Sequence, residues 1–158
     1  MSFTKRPYWL VLLVVVCCLS AGPSMQAAES SHNINAKGVG GAIAPLPGWF
    51  ACTAGHTIGG GLLNGTTEAC FDIVGFTETS LLFQGYITFA TNQGTLTSSF
   101  AGELNFFTGD FSGEGDVAAS TGKLAGASGH LAFEGVQNLT DFTFTDTITG
   151  SISVDLQK

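Results

Sequence analysis

From Phe142 to Leu156 the chain alternates apolar and hydroxylic side chains. Phe142, Phe144, Ile148, Ile152, Val154 and Leu156 take the even positions, and Thr143, Thr145, Thr147, Thr149, Ser151 and Ser153 the odd ones. A period of two is the repeat of a β-strand with one face buried and the other wet. Leu96, Phe100, Leu104 and Phe106 repeat the pattern against Thr95, Thr97, Ser99, Glu103 and Asn105. Further strands are predicted at Thr57–Leu63, Cys70–Phe76, Leu82–Thr91, Phe111–Val117 and His130–Gln137. Between them fall turn residues, several able to adopt positive φ: Asn64-Gly65, Asn92-Gln93-Gly94, Thr108-Gly109-Asp110 and Asn138 to Asp141. That spacing suits antiparallel neighbours.

Composition agrees with an all-β chain. Its 22 glycines disfavour helix interiors, and its 13 phenylalanines supply the apolar surface that a disordered chain lacks. Phe-x-Gly occurs at Phe83–Gly85, Phe100–Gly102, Phe111–Gly113 and Phe133–Gly135. Residues two apart share a strand face, so each phenylalanine has an empty position beside it. Large and small residues alternating on one face fill the taper of a closed barrel, and glycine lets strands bend at its corners. The expected fold is therefore a small antiparallel closed barrel of about eight strands, with a β-sandwich as the alternative. A membrane-spanning barrel fits poorly, because the aromatic girdles it requires would have only Trp49 and Tyr86 after residue 27.

The start of the chain reads as an export signal. Lys5 and Arg6 precede an apolar run from Trp9 to Leu19, Pro23 breaks any helix, and small residues follow at Ala27 and Ala28. The run is shorter than the roughly 20 residues of a membrane-spanning helix. Residues 1–27 are thus expected to be a cleavable signal peptide, 28–35 a flexible leader and 36–158 a single barrel domain, secreted or periplasmic. Cys17 and Cys18 lack the preceding small residue that a lipidation site needs.

Cleavage would remove Lys5 and Arg6 and take the formal charge from −7 to −9, leaving Lys37, Lys123 and Lys158 and no arginine. Nucleic acid and anionic membrane surfaces are both recognised through clustered Lys and Arg, and both are excluded as partners. Cys52 and Cys70 are the cysteines that remain. In an oxidising compartment a disulfide is the economical reading. A zinc site with His56 and Asp72 or Glu68 is the alternative, although the spacing matches no zinc pattern.

The segment Ser120-Thr121-Gly122-Lys123-Leu124-Ala125-Gly126-Ala127-Ser128-Gly129 runs into His130-Leu131-Ala132-Phe133-Glu134-Gly135. It resembles the Gly-Thr-Gly-x-Phe-x-Gly-Ala-x-Gly signature of dirigent proteins and allene oxide cyclases, over roughly Phe111 to Leu156. The resemblance implies an eight-stranded, calycin-like barrel in which this segment leads into a late strand. Gly122, Gly126 and Gly129 would let the backbone turn tightly and approach a neighbour. It also implies a cyclase or isomerase-like enzyme as one function. Enzymatic members line the barrel with polar and charged residues, arginine among them in dirigent proteins, and no arginine follows residue 27 here.

No motif for catalysis, a metal or a cofactor stands out. His32, His56 and His130 sit in no motif and read as solvated. No Gly-x-Ser-x-Gly elbow occurs, and Gly59-Gly60-Gly61 lacks the lysine of a phosphate loop. Asn64-Gly65-Thr66 and Asn138-Leu139-Thr140 are glycosylation sequons in a eukaryotic source and turns otherwise. Asp146 alone breaks the pattern, lying on the apolar face between Phe144 and Ile148. It is either wet at a barrel mouth or bulge, or a polar anchor in a ligand cavity. The partner expected is a small apolar molecule, bound without catalysis, or else a surface contact; the sequence specifies no oligomeric state.

Overall fold

The computed structural model describes residues 29–157, so the expected signal peptide lies outside the described residues. Eight strands follow one another: β1 (Ser30–Ile43), β2 (Ala51–Ile58), β3 (Gly65–Phe76), β4 (Ser80–Thr91), β5 (Gly94–Asn105), β6 (Asp110–Ser120), β7 (Ser128–Gln137) and β8 (Thr143–Val154). Each pairs antiparallel with the next, and β8 pairs back onto β1, closing a barrel rather than a sandwich. Closure leaves no free sheet edge.

Two sequence boundaries are corrected. The flexible leader expected at 28–35 enters β1 at Ser30, and its residues pair with the end of β8, from Ser30↔Val154 to Asn35↔Thr149. Ile34 and Ala36 are its buried inward residues. The strand expected at Thr57–Leu63 is instead the end of β2, a turn through Gly59 (φ 80°) and a 3₁₀ turn at Gly61–Leu63. Glycine tolerates that positive φ, and the turn drops Leu62 and Leu63 into the barrel end.

The interior has two tiers. At the end where β1 begins and β8 finishes, Ile34, Phe89, Leu96, Ile152 and Val154 pack with Leu63 and with Leu124 from a second 3₁₀ turn, Gly122–Leu124. That turn belongs to the glycine-rich segment, where Gly122, Gly126 and Gly129 all have positive φ. A Cβ on Gly129 would overlap the Ser151 carbonyl of β8.

The other tier consists of rings set against glycines. Phe83 faces Gly102, Phe133 faces Gly113, Phe111 faces Gly135 and Phe144 faces Gly40, each directly across a strand pair. A Cβ on any of these glycines would collide with the ring opposite. The empty positions are therefore filled across strands. The rings also touch one another, with Phe83–Phe100 at 5.8 Å, Phe100–Phe133 at 5.6 Å and Phe111–Phe144 at 6.1 Å between centroids. Edge-to-face pairs at such spacings are favourable beyond their buried area.

Candidate functional site

Asp146 sits in the aromatic tier. Strand register places it between two glycines, Gly38 on β1 and Gly135 on β7. Its Oδ1 occupies the space a side chain at Gly38 would fill, and its Cβ stands 2.7 Å from where a Cβ on Gly135 would be. Phe144 precedes it and the buried Ile148 follows it on the same face. No bulge interrupts the pairing here, so the carboxyl points inward as the alternation predicts.

Oδ1 is shut off from solvent and has no hydrogen-bond partner. Burial disfavours the charged form and pushes the pKa from its ordinary 3.8 up to about 6. The Gly38 backbone amide opposes this in part. The carboxyl is therefore poised between acid and carboxylate near neutral pH. It can donate to or accept from a group that reaches it, or pair with a cation.

The barrel is open toward this tier. Phe71, Phe111, Phe133 and Phe144 face inward yet remain partly exposed, whereas Phe83 and Phe100 lie deeper and are buried. The surface also has an open groove whose lining includes Gly38, Gly135, Asp146 and Phe111. At the level of the rings, Asp146 is the one ionisable side chain directed inward among the described residues.

Cys52 and Cys70 form the expected disulfide, joining directly opposed residues of β2 and β3. It lies outside the barrel, buried beneath residues 44–50, where the Leu46 amide stands 3.4 Å from the Cys52 Sγ. With both thiols bonded, the alternative zinc pairing loses its thiolate ligands. Asp72 instead accepts the Phe50 amide at 2.9 Å, and His56 lines a groove with Val39 on the outer face. Among the described residues no group of three His, Cys, Asp or Glu could hold a metal ion.

One constellation escaped the sequence reading. His130 is exposed, as expected, but register puts it opposite Asp116 on the outer face of β6 and β7. Its Nδ1 lies 2.8 Å from the Asp116 Oδ1 and its Nε2 lies 3.4 Å from the Glu114 Oε2. The Asp116 hydrogen bond, with help from Glu114, raises its pKa above 6.5. The spacing Glu114-x-Asp116 on an alternating strand was a signal, but only the pairing of β6 with β7 supplies the histidine.

Neither a protein-family model nor a curated protein matches the chain. Two solved structures are similar to it. A pterocarpan synthase dirigent protein matches over 79% of this chain and 96% of its own, at 10% identity and a TM-score of 0.46. A second pterocarpan synthase dirigent protein matches over 80% of this chain and 86% of its own, at 12% identity and a TM-score of 0.47. No residue role passes between chains at such identity, and the likeness to dirigent proteins, the family that the glycine-rich segment resembles, is one of fold.

Proposed function

We infer that the protein is an exported binding barrel that takes a small apolar molecule at its open aromatic tier, with Asp146 as the polar anchor. The observation that carries this reading is the enclosed, unpartnered Oδ1 of Asp146 among inward-facing rings. Buried polar atoms are nearly always hydrogen-bonded, and the Asp146 side chain, which lines an open groove, can turn its carboxyl toward a donor that enters there. Phe111 beside the one inward carboxyl suits a mostly apolar ligand bearing a single donor or amine. The bonded cysteines are compatible with an oxidising, extracellular setting.

The alternative is a cyclase or isomerase-like enzyme in the same barrel. It has one group in its favour, the raised carboxyl of Asp146, which could move a proton. A second inward acid or base to share that work is lacking beside it among the described residues, which favours binding. Paired fluorescent probes test the reading: an aromatic amine and the same ring system without the amine. The amine should bind more tightly to the wild type, and Asp146→Leu should erase that preference while leaving the apolar probe bound. A preference that survives Asp146→Leu would dismiss Asp146 as the anchor.

A further inference from the structure

The two ends of the barrel differ in what they show to solvent. Four connections lie at the open end: residues 44–50, 77–79, 106–109 and 138–142. Each carries or adjoins an exposed apolar side chain. Phe50 is 61% exposed, Phe76 70%, Phe107 72% and Phe142 51%, with Phe106 and Leu139 beside them. Around the opposite end Ile58 is the one large apolar side chain exposed among the described residues. Scattered exposed hydrophobics need no explanation, but a ring of them on separate loops at one pole does.

A second feature points the same way. Phe142 has φ 57°, the left-handed region that glycine and asparagine enter readily and a bulky side chain does not. The loop fixes it there: the Phe142 amide donates to the Asn138 carbonyl at 2.8 Å, and the Phe142 carbonyl accepts the Ala42 amide at 3.2 Å. Asp141 pins the next residue by accepting from the Thr143 amide and hydroxyl. A ring is thus held outward at a position where a polar residue would be easier to accommodate. Strain retained in this way signals use.

The four connections contain no lysine or arginine, but they include Glu78 and Asp141, with Asp72 and Asp110 close by in the strands. The apolar tips stand on four separate connections around this end of the barrel, and the acidic side chains among them repel anionic surfaces. We propose that this end of the barrel docks on a neutral, zwitterionic lipid surface, the tips of the four connections entering the interface. Phenyl rings at loop tips gain free energy there by leaving water, without any need for basic residues.

The test uses the protein as its host processes it, with phosphatidylcholine vesicles and sedimentation. Wild type should partition, and added salt should not weaken it. Phe76→Ser with Phe107→Ser should lower the partition coefficient roughly a hundredfold, about tenfold per ring. Ile58→Ser, at the other pole, should change nothing, and mixing phosphatidylglycerol into the vesicles should weaken binding. Phe142→Asn guards against misfolding: it should raise the melting temperature by relieving the backbone, yet reduce partition about tenfold. Partition equal in all variants, or confined to anionic vesicles, would overturn the proposal. So would lipid-independent self-association that the same substitutions abolish, which would assign the ring of aromatics to contacts between copies of the chain.

Discussion

Replacing Asp146 with asparagine changes charge with almost no change in volume, and the structure gives the sign and size of the response. The carboxyl's pKa is pushed up from 3.8 to about 6 by burial, so between those values the folded chain holds a proton that the unfolded chain has lost. The contribution of Asp146 to wild-type stability is then greatest below about pH 4, falls between about pH 4 and 6, and is level above that. The displacement corresponds to about 3 kcal/mol. Asparagine carries no such penalty. At pH 7.5 the variant should melt roughly 10 °C above wild type, at about 3–5 °C per kcal/mol for a domain of this size. Near pH 4 the two should coincide, or the variant should fall slightly lower because its amide hydrogens lack acceptors. Thermal unfolding followed by circular dichroism from pH 4 to 8 provides the readout. His130 and Asp141 also have displaced pKa values, but they are common to both proteins and cancel in the difference. A difference in melting temperature that does not vary with pH would refute the claim that Asp146 is enclosed.

Gly113→Ala should destabilise the fold by about 1–3 kcal/mol in denaturant titration, since its methyl would meet the Phe133 ring and stand 2.6 Å from the Ala101 carbonyl oxygen. Reducing the disulfide, whose cysteines are 18 positions apart, should cost about 3 kcal/mol on the chain-entropy account, measured as a shift of the urea midpoint. The His130 imidazole should titrate above 6.5 by NMR, and Asp116→Asn should bring the midpoint down by removing the principal hydrogen bond. Intact-mass analysis of the exported protein should place its first residue at or near Ala28.

What was legible in the sequence depended on whether a residue's neighbours lay along the strand or across it. The even face of β8 could be read directly, and Asp146 stood out because one strand sufficed to place it. Its enclosure could not be read, because Gly38, which makes the room, comes from the first strand of a closed ring. The same blindness hid β1, whose inward face carries Ile34 and Ala36 but continues in the bare positions Gly38 and Gly40. Phe-x-Gly correctly suggested a barrel, yet the ring that fills each empty position belongs to another strand, a fact of register. Phe142 was assigned to the apolar face by period alone, but β8 begins at Thr143 and the ring before it turns outward.

Closure by the first and last strands also governs the timing of folding. Every seam from β1 to β8 joins strands adjacent in sequence, and those hairpins can form as the chain grows. The Cys52–Cys70 bond lies within one of them and can be oxidised early. The remaining seam joins Ser30–Gly41 to Thr143–Val154, so it must wait for nearly the whole chain. Until then the sheet is an open ribbon with two bare edges and its phenylalanines uncovered, the species most prone to pair with another copy. Closing so distant a pair makes the last step slow, and a chain truncated within β8 would remain in that aggregation-prone form.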